Sequence, residues 1–361
     1  MKITEIRLGS ISVPLRVPFK TALRTVASVE DIILEIHTDT GAVGYGEAPP
    51  TGAVTGHTTG AIVGALKDHI IPNLLGKDID AFEDLMQLVQ SCVHGNSSAK
   101  AAADMALWDL YGQLYKLPVY KLLGGDPTTS LNGTTVLNTI SLAKGADILR
   151  VHDVREAVEC VRIFPTLDVA RLRAVREVAG ADIRLRIDAN QAWEPKQAVR
   201  ILNEMQEQGL KLEFVEQPVK AHDIEGLKYV TEHSYVPVLA DESVFSPRDA
   251  MRVLEQRAAD LINIKLMKCG GIYNALKIAA AAEIYGVECM IGCMLEAKIS
   301  VNAAVELACA KKVFTRIDLD GPVLCSEDPI LGGARFEEKL ITVSDEAGMG
   351  IRGVDGLRYL D

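Results

Sequence analysis

Three acidic tripeptides recur at regular intervals in the second half of the chain: Asp188-Ala189-Asn190, Glu216-Gln217-Pro218 and Asp241-Glu242-Ser243. Each follows a short apolar run: Leu185-Arg186-Ile187, Phe214-Val215 and Pro237-Val238-Leu239-Ala240. A fourth run, Leu261-Ile262-Asn263-Ile264, delivers Lys265. The steps from 188 to 216, 216 to 241 and 241 to 265 are 28, 25 and 24 residues. A strand and its return helix take roughly 30 residues. The period therefore predicts four consecutive βα units, each ending its strand in an ionisable residue. In a (β/α)8 barrel the strand C-termini converge on one face, where active sites lie. Three carboxylates gathered there repel one another unless a cation neutralises them, and hard oxygen donors suit Mg2+. A carboxylate can also cap the helix that follows it. Capping does not explain three at one period followed by a lysine.

The rest of the chain fits a barrel with an added domain. At 361 residues it exceeds one ordinary core. Apolar residues make up 48% and charged residues 24%, the balance of a soluble globular protein. A net charge of −11 argues against nucleic acid or an anionic membrane as partner. It leaves an anionic substrate open, because a bound divalent cation reverses the local field. The seven cysteines are scattered and form no Cys-x-x-Cys pair, so free thiols in a reducing compartment are expected. The chain opens on the strand-like Met1-Lys2-Ile3-Thr4-Glu5-Ile6, and no apolar run reaches the roughly 18 residues of a membrane span. A cytoplasmic protein is expected.

Residues 1–125 read as an α+β domain. Ile3 to Val13 is one strand, and Ile32–His37 and Val43–Glu47 flank the hairpin signal Thr38-Asp39-Thr40-Gly41. Residues 59–123 read as helices, closed by Gly124-Gly125-Asp126-Pro127. Residues 126–320 read as the barrel. The alternation is clear from a helix over 167–178, through a strand over 183–187, a helix over 195–208 and a strand over 212–215. Residues 321–361 are expected to return to the first domain. The stretch 131–165 fits least well. It holds one clear strand, Asp147–Val151, with helical spacing before it at 136–143 and after it at 156–163. A strand over 136–140 would leave only a short link to the next one, and a parallel crossover needs about a dozen residues.

The segments Phe19–Thr25, Tyr45-Gly46-Glu47-Ala48-Pro49-Pro50, Arg186–Gln191, Val215–Pro218, Ala240–Phe245, Asn263–Lys268, Gly292–Glu296 and Asp318-Leu319-Asp320 resemble the enolase superfamily in its muconate-lactonising branch. The likeness is greatest to dipeptide epimerases of the L-Ala-D/L-Glu type, and it covers 1–130 and 167–361. The resemblance implies a modified (β/α) barrel with an α+β N-terminal capping domain. It implies Mg2+ on Asp188, Glu216 and Asp241, and Lys265 as one of two acid/base residues. It implies Asp318 and Asp320 as the pair that holds a dipeptide's ammonium; at i and i+2 they would share one face of a strand. Arg24 matches a capping-loop position that meets the glutamate side-chain carboxylate, and Cys293 would line the pocket. A small dipeptide substrate and a homo-oligomer are expected. Removing a proton α to a carboxylate builds negative charge on its oxygens, which a metal stabilises, as is general for this superfamily.

Inversion needs a second base on the opposite face, which the family supplies from a Lys-x-Lys at the end of the second barrel strand. That pair is absent here. Alignment on the Lys144-Gly145 turn places Arg150-Val151-His152 on it, and alignment from Leu167-Asp168 puts Cys160 and Arg162 near it. His152 has a suitable ordinary pKa for a base, or is a polar strand-end residue without a role. Arg150 suits a substrate carboxylate and cannot act as a base. Residues 131–165 instead resemble the C-terminal unit of dihydropteroate synthase. Lys268 reads as a solvated loop charge, Glu242 as pointing away from Asp241, and Lys298 as peripheral. Three activities stay open: dipeptide epimerisation, intact or impaired; a related N-acylamino acid racemase, o-succinylbenzoate synthase or muconate cycloisomerase; and an inactive metal-binding scaffold.

Overall fold

The computed structural model describes residues 1–20, 25–126, 131–132, 148–151, 172–173, 175–177, 180, 184–337 and 340–360. Two sheets organise what is described. The first is antiparallel and takes strands β1 (Ile3–Lys20), β2 (Thr25–Thr38) and β3 (Val43–Ala48), with the C-terminal strand Arg358–Tyr359 on the outer edge of β1. The β2–β3 hairpin turns where the sequence places it. Gly41 sits at φ +82°, and its amide closes on the Thr38 carbonyl at 3.1 Å. Strand β1 runs seven residues further than expected, past Pro14 and Pro18. Its register against β2 shifts between Pro14 and Phe19, which accommodates rings that cannot donate to a ladder.

A long alanine-rich helix, Ser97–Tyr115, lies on this sheet. It approaches β3 so closely that a Cβ at Gly46 would stand 1.9 Å from the Ala102 carbonyl oxygen, and one at Gly44 2.3 Å from that of Ala106. Glycine at these two positions is what allows the contact. Buried carboxylates of the first 125 residues also reach helix N-termini of the later chain. Asp104 accepts from the amides of Ile272 and Tyr273 at 2.6 and 3.1 Å, and Glu47 accepts from those of Ala297 and Ser300 at 2.6 and 2.8 Å. Both suit the partial positive charge of a helix start.

The strand Leu131–Asn132, β4, pairs antiparallel with residues 340–341 rather than with the second sheet. That sheet is parallel and holds seven strands among the described residues. They are β5 (Ile148–Val151), β6 (Arg184–Asp188), β7 (Leu212–Glu216), β8 (Val238–Ala240), β9 (Leu261–Lys265), β10 (Glu288–Gly292) and β11 (Phe314–Asp318), adjacent in chain order. The sheet is curled into a half-barrel. A flat sheet would set β7 and β11 about 19 Å apart, four strand spacings, yet Arg316 on β11 donates to Glu213 on β7 at 3.2 Å. Glu213 is skipped in the β6–β7 register, where Arg186 opposes Phe214, and it gathers Arg186, Arg316 and Arg184.

Strand alternation sorts the side chains. Phe214, Leu239, Leu261 and Met290 form a small core of their own, apart from the main one. The alternate residues Val215, Ala240, Ile262, Ile264 and Ile291 join the large core with the helices. Each side chain of this size contributes roughly 1.5–3 kcal/mol on full burial. The strand over 147–151 is present as β5, in register with β6 from Ile148↔Arg184 to Val151↔Ile187. The helix expected over 167–178 is helical at its described residues, 172–173 and 175–177. The segments 136–143 and 156–163 lie outside the described residues.

Candidate active site

Alternation puts one ionisable residue at the end of each of five strands on the face that carries the small core. Asp188 and Glu216 are register partners across β6 and β7. Asp241 follows β8 by one residue. Lys265 and Asp318 both pair with Gly292, one from each side. The three expected metal carboxylates are buried, with Asp188 8%, Glu216 1% and Asp241 4% exposed. The backbone around them is held in an unusual conformation. Asn190, Gln191 and Gln217 all have positive φ, at 44°, 64° and 35°. Such residues persist only where their surroundings impose the geometry, and they concentrate at functional sites. Asn190 donates its backbone amide to Asp188 Oδ1 at 2.9 Å.

Asp241 receives two ammonium groups. Lys265 Nζ lies 2.7 Å from Oδ2, and Lys268 Nζ bonds Oδ1. Burial alone would raise the Asp241 carboxyl, but the two lysines outweigh it and hold the group below the usual carboxylate range. Lys268 corrects the sequence reading. It is 1% exposed and also donates to the carbonyls of Asp241 and Asn263, the latter at 3.0 Å. Glu242, the residue after Asp241, is not solvated. It is half-buried, and burial, then the charges of Asp241 and Glu216, push its carboxyl up to about 7. Asn263 Nδ2 donates to Glu216 Oε1 at 2.8 Å. Gly292 leaves the path for Lys265: a Cβ there would stand 2.7 Å from Asn263 Oδ1 and 3.1 Å from Lys265 Cε.

On the far side of Gly292, Asp318 and Asp320 are 1% and 8% exposed. Strand β11 stops at Asp318, and Asp320 has helical backbone angles at the start of the turn Gly321–Leu324. The pair is therefore set by a strand end and a helix start, not by strand alternation. Cys293 points its thiol at Asp320 Oδ1, 3.7 Å away, and burial pushes that thiol well above its usual range. Lys298 pairs with Asp328, apart from these residues. Arg24 and His152 lie outside the described residues, and Arg150 is described as a backbone position in β5.

Among the described residues no three His, Cys, Asp or Glu side chains stand close enough to hold a metal ion as placed. The donor chemistry nonetheless fits a hard cation. Three buried carboxylates end adjacent strands, and the set contains no sulfur or imidazole. Sequence reasoning missed Lys268, Gln217 and Gly292. The signal for Lys268 was present: Lys-x-x-Lys puts both residues on one face once the chain turns helical.

Residues 3–124 match the model of the mandelate racemase/muconate lactonizing enzyme N-terminal domain, and 140–355 match the enolase C-terminal domain-like model. The second match runs through most of 131–165, and nothing supports the resemblance of that stretch to dihydropteroate synthase. The L-Ala-D/L-Glu epimerase of Clostridium acetobutylicum is 52% identical, over 98% of this chain and 100% of that one. A substrate-liganded structure of the L-Ala-D/L-Glu epimerase from Bacillus subtilis superposes with a TM-score of 0.91 at 42% identity, covering 98% and 99% of the two chains. The dipeptide epimerase of Enterococcus faecalis, complexed with Mg and the dipeptide L-Leu-L-Tyr, gives 0.89 at 37% identity, covering 98% and 100%. With both domain models matched and these relatives aligned end to end, the chain belongs to the mandelate racemase/muconate lactonizing enzyme family of the enolase superfamily.

Proposed function

We propose that this chain is a Mg2+-dependent isomerase that epimerises a dipeptide of the L-Ala-D/L-Glu type. The observation that carries the reading is the strand-end row itself: Asp188, Glu216, Asp241 and Lys265 at the ends of the consecutive strands β6 to β9, and Asp318 at the end of β11 across Gly292, in a chain 52% identical to an L-Ala-D/L-Glu epimerase. Asp188, Glu216 and Asp241 would hold Mg2+. The ion supplies positive charge where the substrate carboxylate becomes enediolate-like. Lys265 takes the α-proton from one face and returns it there. Asp318 and Asp320 bind the free ammonium, which favours a dipeptide over an N-acylated amino acid. Cys293 lines the pocket beside Asp320, and Arg24 meets the side-chain carboxylate of the substrate. Arg150 binds a carboxylate.

The opposite face is weaker. Strand β5 occupies the place beside β6, in register from Ile148 to Val151, and His152 follows it in the sequence. His152 is then the candidate second base, where relatives of this branch use lysine. Catalysis is expected to be one-sided, with exchange outpacing inversion. The reading goes with a cytoplasmic homo-oligomer that binds neither nucleic acid nor membrane. No helix among the described residues is long and apolar enough to cross a membrane.

The test is deuterium exchange from solvent into L-Ala-L-Glu with Mg2+ present, followed by mass spectrometry and chiral separation. Exchange that disappears in Lys265→Met supports the reading. Exchange unaffected by that substitution, or none in the parent protein, overturns it.

A further inference from the structure

We propose that Gln217 is a positioning residue that fixes Asp241 against Glu216. Its consequence for metal binding rests on the functional reading above. Gln217 follows Glu216 directly and is fully buried. Its side-chain amide has two donor hydrogens and two acceptor lone pairs, and all four are used. Nε2 donates to the Val219 carbonyl at 3.0 Å and to Ser243 Oγ at 2.9 Å. Oε1 accepts from the backbone amides of Asp241 at 2.9 Å and Ser243 at 3.1 Å. The orientation is forced. A flipped amide would aim its NH2 at two N–H groups and its oxygen at a carbonyl.

The main chain of Gln217 adds two bonds. Its N–H donates to the Leu239 carbonyl at 2.9 Å, and its carbonyl accepts from Gln191 at 2.7 Å. Two further links close the set. The Ala221 amide donates to Gln191 Oε1 at 3.0 Å, and Ser243 Oγ donates to the Ala221 carbonyl at 2.9 Å. One residue thus joins the segments that follow β6, β7 and β8, next to Asp188, Glu216 and Asp241. The backbone of Gln217 is held at φ +35° where its side chain meets the segment after β8. A residue that served only to fill space there would need no positive φ and no amide. The role is to hold a ligand-bearing backbone, as groups behind metal ligands do.

The test uses Gln217→Gly, which keeps access to positive φ and removes only the side chain. Gln217→Met, which keeps the side-chain volume, serves if the glycine variant does not fold. In metal-free protein, hydrogen exchange of the Asp241 and Ser243 amides should quicken at least about tenfold, while amides in β9 and β10 keep the parent rates. Mg2+ affinity by calorimetry should fall about 10–100-fold. Mn2+ at saturation should give an altered electron paramagnetic resonance spectrum, which a mere loss of stability would not produce. Parent-like exchange at both amides overturns the inference whatever the metal does. Quickened exchange with unchanged Mg2+ affinity overturns its consequence for the metal. A parent protein that binds no Mg2+ overturns the functional reading, while the exchange data still decide whether Gln217 fixes Asp241.

Discussion

Replacing Gly292 by alanine tests whether Lys265 and Glu216 depend on one crowded strand end. The backbone tolerates alanine, because Gly292 is not among the glycines with positive φ. The obstacle is space. The new Cβ would lie 2.7 Å from Asn263 Oδ1, and ordinary contact begins at 3.4 Å, so Asn263 must retreat by about 0.7 Å. Asn263 is fully buried and donates to Glu216 at 2.8 Å, so the retreat stretches or breaks that bond. The same Cβ stands 3.1 Å from Lys265 Cε, on the side chain read as the base. Overpacking of this kind costs about 1–3 kcal/mol of stability. The shift asked of Lys265 Cε is about 0.3 Å, so the loss in rate stays below the order of 10²-fold that a displacement of about 1 Å costs. The assay is solvent deuterium exchange at the substrate α-carbon, with thermal unfolding on the same samples. Gly60→Ala is the control, since a Cβ there meets nothing within 4 Å. Exchange at the parent rate with an unchanged unfolding midpoint in Gly292→Ala would refute the crowding argument, about 10²-fold being the upper bound on the loss.

Four further outcomes are expected. Lys268→Met should destabilise the protein by about 3 kcal/mol, the low end for breaking a buried pair, because Lys265 still compensates Asp241; denaturant titration checks this. N-acetylation of the dipeptide should abolish binding through Asp318 and Asp320, and equal affinity for both forms by calorimetry would favour the racemase reading. Burial pushes Asp104 from 3.8 up to about 8 although the Tyr273 and Ile272 amides oppose it. The folded state then keeps a proton that the unfolded state loses, so this group's contribution to stability falls as pH rises from about 4 to about 8; unfolding midpoints should show a shallower decline in Asp104→Asn. Arg150→Lys combined with His152→Lys should raise the ratio of inversion to exchange, measured by chiral separation, since a missing acid or base typically costs about 10²–10⁴-fold; an unchanged ratio would remove these positions from the second-base role.

What the sequence made legible follows from period. Strands β6 to β9 are short apolar-rich runs that end on a charged residue or, in β8, one residue before it, so the strand ends were readable within a residue or two. Helix starts carried their own marks, such as Ser246, whose side chain accepts from the Asp249 amide ahead of the helix Pro247–Glu255. The hairpin at Gly41 was likewise local. The features that escaped depend on contacts between elements. Whether Asp241 faces a lysine or a solvent shell depends on how β9 ends, and no periodicity records that. Register irregularities were also invisible, including the skipped Glu213 that gathers three arginines.

Lys268 shows the physical reason most clearly. Read as a loop residue three places past a strand, it should reach water. In the fold, Lys265 is the last extended residue, and Leu266–Cys269 turn at once into a helical segment stopped by Gly270 at φ +88°. One helical turn returns residue 268 to the face of residue 265. The turn also lays its ammonium on the Asp241 and Asn263 carbonyls and under the Phe245 ring, 5.7 Å from the centroid. Two cations beside one carboxylate would repel each other in a site that held nothing else negative. Here Asp188 and Glu216 end the neighbouring strands, in keeping with the proposed use of Lys265 for proton transfer while Lys268 keeps Asp241 in place. The pairing of both lysines with Asp241 thus comes from a strand passing directly into a helix at residue 265. A variant that lengthens this junction by one residue should send Lys268 out to solvent and uncouple it from Asp241.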